Sequence, residues 1–199
     1  AGGLDLTSVL SVMPMGANVY PSVCDDLRAY FPNIRCVMNM YGLTEIMLLI
    51  AMTDTHENLG GILGEVEAAK IVDPDTGATL GPNRVGEFVV KPQYTMKGYL
   101  NRPDEDEEFF GSDGWVRTGD LMHYDDEGVL YYDGRRKNLI KFKNYHLYPI
   151  EIEDVLQTHP DVVEAAVFGR TEPSVQELVT ALVVRKENAG VTEQELESI

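Results

Sequence analysis

Cysteine is scarce in this chain: Cys24 and Cys36 are its only two in 199 residues. Their spacing fits no metal-binding pattern, and with no secretory signal and no long apolar run the simplest reading is a pair of buried thiols in a reducing interior. The missing apolar run excludes a stable membrane span. Cations are also few. Sixteen Lys and Arg face 33 Asp and Glu, a formal charge of −17, and a field of that sign repels nucleic acid and anionic membrane surfaces. A polynucleotide partner is therefore excluded, and any anionic ligand must be held by a local arrangement. Hydrophobic residues are plentiful, at 44%, enough for one large core or two small ones.

Within this acidic, soluble composition the run Tyr41-Gly42-Leu43-Thr44-Glu45 stands out. It joins an aromatic face, a glycine, a hydroxyl and a carboxylate, the set required by a small anionic ligand with a ring at one end and a metal at the other. Taken alone, it equally suits a strand entering a helix with Thr44 as cap. Upstream, residues 6–13 read as a buried strand, and Val19, Val23, Leu27 and Tyr30 form one face of a helix over 18–31. Residues 34–40 read as a second strand, which delivers Tyr41 to its C-terminal end. A strand–turn–helix with polar groups at the turn lies where ligands collect in open α/β sheets. The run 46–52 is apolar on every side.

Beyond Thr53 the texture becomes short β-branched and aromatic segments separated by turn signals such as Asp73-Pro74-Asp75-Thr76-Gly77 and Asp125-Asp126-Glu127-Gly128. Residues 67–72, 85–91, 115–117, 121–124 and 129–132 predict a small antiparallel sheet or barrel. One acidic helical turn over 103–109 interrupts it, and its carboxylates read as a solvated face. Five cations, Arg135, Arg136, Lys137, Lys141 and Lys143, then fall within nine residues. A helix follows over 148–156, with Pro149 near its start and Ile152, Val155 and Leu156 on one face, then strands over 162–168 and 179–184. The composition shift places a domain boundary near residues 135–137. The chain opens on Ala-Gly-Gly and closes inside a helix-start signature, Thr192 to Glu195, so it is expected to be a piece of something longer.

Four runs, Tyr41 to Glu45, Gly114-Trp115-Val116-Arg117-Thr118-Gly119-Asp120, Asp133-Gly134-Arg135-Arg136-Lys137-Asn138-Leu139-Ile140-Lys141 and Tyr148-Pro149-Ile150-Glu151-Ile152-Glu153, share their order and spacing with one family. The chain resembles the AMP-forming adenylating enzymes, which include acyl-CoA synthetases, 4-coumarate–CoA ligases and beetle luciferases. The resemblance implies a mixed α/β fold: the end of a large α/β domain with a small antiparallel β-barrel, then the start of a small α+β lid domain. Residues 1–135 would be the large-domain part (1–52 α/β, 53–135 mainly β) and 136–199 the first part of the lid.

The implied activity is ATP-dependent ligation of a hydrophobic carboxylic acid to coenzyme A through an acyl-adenylate, with ATP/AMP, Mg²⁺ and CoA as cofactors. A luciferase-like adenylating monooxygenase and a degenerate, non-catalytic nucleotide or partner binder are the alternatives. By resemblance, Asn39, Tyr41, Gly42, Thr44, Asp120 and Arg135 bind the nucleotide. Tyr41 would stack on adenine, Thr44 would reach the α-phosphate and Asp120 would accept the ribose hydroxyls. Glu45 would hold Mg²⁺, and Thr44, Glu45 and Lys141 would be catalytic. Lys137 is the implied hinge, Lys143 faces the CoA side, and Met40, Ile46 and Leu49 line the acyl pocket. The sequence departs from the family at Ser11-Val12-Met13-Pro14-Met15, which replaces a glycine-rich turn, at Met40, which replaces a small residue, and at Asn144, which replaces glycine. The family's phosphate-binding loop and its adenylating lysine are expected outside this chain, so the isolated chain is expected to be inactive. Cytoplasm or peroxisome is the expected compartment.

Overall fold

The computed structural model describes residues 4–16, 19, 21–46, 48–53, 58–62, 66–111, 113–143, 145–172 and 174–199. The chain divides into two compact units, Ala1–Thr118 with Met122–Tyr132, and Gly119–Leu121 with Asp133–Ile199. In the first unit, β1 (Ser11–Val12) is followed by helix α1 (Pro21–Tyr30) and by β2 (Cys36–Val37), which lies parallel to β1. The strand expected over 6–13 pairs only at its end. Asp5 Oδ1 accepts from the Thr7 N–H at 3.0 Å and the Val9 N–H donates to the Leu6 carbonyl at 3.1 Å, so the preceding residues are taken up in local turns.

Helix α1 begins at Pro21, whose missing N–H costs nothing in a first turn; the rest of the expected start, Asn18 and Tyr20, lies outside the described residues. Its buried side differs from the expected one. Cys24 and Leu27 pack with Val19, Ile34 and Val37, whereas Val23 and Tyr30 are exposed. Tyr30 instead meets the edge of Phe31. Cys24 is a buried free thiol and Cys36 is half-buried.

Strand β3 (Asn39–Leu43) leads into a single 3₁₀ turn, Thr44–Ile46, and the chain then returns as β4 (Leu48–Thr53). The two strands are antiparallel, with Tyr41 opposite Ala51 and an irregularity between Tyr41 and Gly42. The helix expected after Glu45 is therefore a strand. A run that is apolar at every position carries neither a 2.0 nor a 3.6 period, and the choice falls to strand pairing.

Strands β5 (Val66–Val72) and β6 (Gly86–Pro92) come next, then helix α2 (Pro103–Phe109) and strands β7 (Val116–Tyr124) and β8 (Leu130–Arg135). These strands form one sheet in the order β5-β6-β7-β8. The turns between them use the carboxylates the sequence advertised. Asp73 Oδ1 accepts from Asp75 and Thr76, and Asp125 Oδ1 accepts from Glu127 and Val129. The expected barrel is not closed: β5 and β8 stand at opposite ends of the strand order, so the sheet is open. The two strands expected over 115–117 and 121–124 are one, because Gly119, at φ +70°, is absorbed into β7. Ile71, Phe88, Val90, Val116, Met122 and Leu130 form the core of the sheet, together with Ile46 and Leu59.

After the parts of β7 and β8 that belong to it, the second unit continues in a 3₁₀ turn, Arg136–Asn138, followed by β9 (Ile140–Phe142), β10 (Tyr145–Leu147), helix α3 (Pro149–Gln157), β11 (Val162–Glu172), β12 (Gln176–Arg185) and helix α4 (Glu193–Leu196). Its sheet order is β10-β9-β12-β11. The basic stretch read as a connector is thus partly a hairpin, in which Phe142 faces Tyr145. On α3, Leu156 is buried and Ile152 packs against the core with Ile140, Val162 and Val167, while Val155 is exposed. Thr192 caps α4 by accepting from the Glu195 N–H at 3.3 Å. Among the described residues no helix is long and apolar enough to cross a membrane.

Candidate functional site

The residues singled out for nucleotide and metal chemistry fall in both units, and each group is described within its own. In the first unit, β3 presents Asn39, Met40, Tyr41 and Gly42. Asn39 is buried, and its Nδ2 donates to the Asn58 carbonyl at 3.3 Å, so part of the amide expected to read adenine is held by a neighbouring loop. Tyr41 is half-buried, with its ring 6.1 Å from that of Phe88 at 65°. This edge contact holds the ring against the sheet core. Met40 is half-buried and bridged by backbone pairing to Met15. Gly42 and Thr44 are exposed.

Glu45 sits within the 3₁₀ turn, half-buried, and its Oε1 accepts a hydrogen bond from the Tyr99 hydroxyl at 2.6 Å. Burial pushes the Tyr99 hydroxyl well above its ordinary pKa, and the bond to Glu45 adds to the effect, with smaller electrostatic contributions from Glu45, Glu105 and Asp106. Tyr99 therefore stays a donor at any physiological pH. Ile46, expected in an acyl pocket, is completely buried and packs with the sheet core. Leu49 pairs through its backbone with Gly42; its side chain, like Met47 and Asn144, lies outside the described residues.

In the second unit, Asp120 is a wholly buried carboxylate on β7. Its Oδ1 lies 2.8 Å from Arg135 Nε, at the end of β8. The half-exposed guanidinium beside it supplies a fixed charged partner that holds this buried carboxylate in place. Lys137 is exposed in the 3₁₀ turn after Arg135. Lys141 is exposed on β9, where its backbone N–H donates to Glu177 Oε2 at 2.5 Å. Lys143, at φ +54°, donates its N–H to the Val175 carbonyl at 2.8 Å and sets its amine over the Phe142 ring. Asp133 and Glu151 add to a burial effect that raises the Tyr148 hydroxyl.

Sequence reasoning missed Tyr99, and it missed Glu87 and Arg117, which pair across β6 and β7. Tyr99 lies 54 positions from Glu45, and its only local signal is the preceding Gly98, at φ +141°.

Glu45 suits Mg²⁺ by the chemistry of its donor. Mg²⁺ takes one or two hard carboxylate oxygens and fills its remaining positions with phosphate and water. Among the described residues no group of three or more His, Cys, Asp or Glu forms an all-protein cage, so a single carboxylate working with a bound phosphate is the arrangement these residues can provide.

Comparison with known proteins gives these groups a context. The sequence model of the AMP-binding enzyme family matches residues 2–100, and that of the AMP-binding enzyme C-terminal domain matches 151–199. The chain is 37% identical over 195 residues to luciferin 4-monooxygenase of Nipponoluciola cruciata, covering 96% of this chain and 35% of the relative. It is 35% identical over 198 residues to 4-coumarate–CoA ligase-like 4 of Oryza sativa subsp. japonica, covering 97% of this chain and 36% of the relative. The chain thus spans about a third of the length of the curated relatives it matches. The structure of O-succinylbenzoate coenzyme A synthetase from Bacillus subtilis in complex with AMP matches with a TM-score of 0.78 and 30% identity, over 96% of this chain and 39% of that one. On these matches at both ends of the sequence, the chain belongs to the AMP-binding enzyme family.

Proposed function

We propose that these 199 residues are part of an ATP-dependent, AMP-forming ligase that activates a hydrophobic carboxylic acid and passes it to the thiol of coenzyme A. The observation that carries the reading is Asp120, fully buried in β7 yet ion-paired to Arg135 at 2.8 Å. A carboxylate so held would order the hydroxyls of a ligand, and the AMP bound to a structural relative supports a nucleotide as that ligand. Residues 1–135 would be the end of the large domain and 136–199 the start of the lid, with Lys137 as the hinge. The activity would belong to a longer protein, in keeping with the share of the relatives that this chain spans. Its compartment would be the cytoplasm or the peroxisome.

In this reading the substrate carboxylate attacks the α-phosphorus of ATP, the bond to the β,γ-pyrophosphate breaks, and the acyl-adenylate forms. The CoA thiol then attacks the acyl carbon and AMP leaves with the bonding pair. Tyr41 would offer its ring to adenine and Asn39 and Gly42 would line the base. Thr44 would donate its hydroxyl to the α-phosphate, and Asp120 and Arg135 would hold the ribose. Glu45 would hold the cation, which when bound supplies charge neutralisation for the phosphates. Lys141 and Lys143 would serve the thioester-forming half-reaction. Met40 and Leu49 would wall the acyl pocket.

Incubating the full-length protein with ATP, CoA and a panel of fatty, aryl and short acids tests the proposal. Thioester formation with the hydrophobic acids is expected, and its absence across the panel overturns it. The 37% identity to a luciferin monooxygenase favours one second reading, an adenylating monooxygenase. Light on incubation with luciferin, ATP and oxygen would select it.

A further inference from the structure

We propose that Tyr99 is the positioning residue of the cation-binding carboxylate Glu45, an inference that rests on the role assigned to Glu45 above. Glu45 lies in a 3₁₀ turn of three residues between two strands, too short to orient a side chain with three rotatable bonds. The orientation comes from a segment more than fifty positions away. The Tyr99 hydroxyl donates to Glu45 Oε1 at 2.6 Å, within the short range of charge-assisted O–H···O⁻ bonds. The Met96 N–H donates to the backbone carbonyl of Glu45 at 2.7 Å. Residues 96–99 thereby grip Glu45 at both its main chain and its carboxylate.

That segment is itself anchored. Asp106 Oδ1, on helix α2, accepts from the Tyr99 N–H at 2.7 Å. Gly98, at φ +141°, lies so close to the same carboxylate that a Cβ there would stand 2.5 Å from Asp106 Oδ2, an approach open to glycine alone. The Tyr99 ring meets Phe109, also on α2, edge-on at 6.1 Å. The acidic helix is therefore more than a solvated face: through Asp106 it holds Tyr99, and Tyr99 holds Glu45. With Oε1 taken by this bond, the cation would be held through Oε2, the arrangement by which partners of a ligand residue tune metal affinity.

The test uses Tyr99→Phe in the full-length protein, which keeps the ring contact with Phe109 and removes only the hydroxyl. Mn²⁺ binding in the presence of ATP, followed by electron paramagnetic resonance, should weaken about tenfold, and the Mg²⁺ concentration that half-saturates pyrophosphate release should rise by about the same factor. Turnover at saturating Mg²⁺ and AMP affinity without metal should not change. A purely structural role would lower turnover at every Mg²⁺ concentration, and that result overturns the proposal. Glu45→Gln separates the two layers of the argument. If it weakens Mn²⁺ binding and Tyr99→Phe does not, the positioning role falls while the role of Glu45 stands; if neither does, both fall. Should Tyr99→Phe not fold, Asp106→Ala, which releases the Tyr99 backbone and keeps the hydroxyl, must weaken Mn²⁺ binding, and unchanged binding overturns the proposal.

Discussion

Arg117 on β7 reaches across to Glu87 on β6, with its Nη1 2.5 Å from Glu87 Oε2, and Glu87 is only 2% exposed. The pair ties the two central strands of the β5-β6-β7-β8 sheet at a fixed register, three residues before Asp120 on the same strand. Removing the cation takes a charged partner from a buried carboxylate. Arg117→Ala is expected to cost about 2–3 kcal/mol, somewhat less than a fully sealed pair because water reaches Arg117. The double variant Glu87→Leu/Arg117→Leu should recover most of that loss. Urea denaturation of the three proteins checks this, and a double variant as weak as the single one contradicts it.

Asp120→Asn keeps the shape of the buried side chain and removes its charge. The ion pair with Arg135 Nε at 2.8 Å is then lost, and a neutral amide replaces an anionic acceptor. AMP affinity of the full-length protein, measured by calorimetry, is expected to fall on the order of tenfold, the usual worth of a hydrogen bond to a charged group. Affinity equal to the parent's would remove Asp120 from the nucleotide site.

Acid sensitivity should be traceable to the turn between β7 and β8. The Val129 N–H holds the Asp125 carboxyl below its ordinary value of 3.8 against the opposing effect of burial, helped by Glu127, Tyr131 and Gly128. A folded-state pKa below the unfolded one means stabilisation that is complete above the unfolded value and lost as pH falls through the folded value. The difference in Tm between the parent and Asp125→Asn should therefore be positive at neutral pH and shrink as pH falls below the ordinary carboxylate range. A difference that is constant with pH would rule out the linkage.

Gly86, at the start of β6, has no room for a methyl group. A Cβ there would collide with the Val72 carbonyl oxygen and stand 2.7 Å from Leu80 Cδ1 and 2.8 Å from Ile71 Cγ2. Backbone cannot give way as a side-chain tip does, so Gly86→Ala should destabilise by about 1–3 kcal/mol. Gly61 meets nothing within 4 Å, and Gly61→Ala should stay within about 0.5 kcal/mol of the parent. Thermal unfolding of the two variants side by side makes the comparison.

Local chemistry was legible before any fold was seen. Asp73 and Asp125 each wrap their own following N–H groups, so the turns they predict are the turns that form. Pro103 and Pro149 each stand in the first turn of a helix, because a missing N–H is harmless only there. The four ordered motifs named the family for the same reason: each is a contiguous run whose chemistry needs no partner to be recognised.

What depended on partners was not legible. The apolar run after Glu45 became a strand because β3 was there to pair with it. Val23 and Tyr30 shared the expected inner face of α1 with Leu27, but it is Cys24 that packs beside Leu27 against Ile34 and Val37, and Val23 and Tyr30 are exposed. Ile46, adjacent to the chemistry in sequence, went to the core, while Tyr99, 54 positions away, came to the carboxylate. By itself the sequence determined which chemical groups are present, in what order, and where the chain must turn, because those follow from bonds and side chains within a few residues. Only the tertiary structure decided which side chains are buried, whether the sheet closes, and what holds Glu45. Burial and long-range hydrogen bonds belong to pairs of segments, and no single segment carries them.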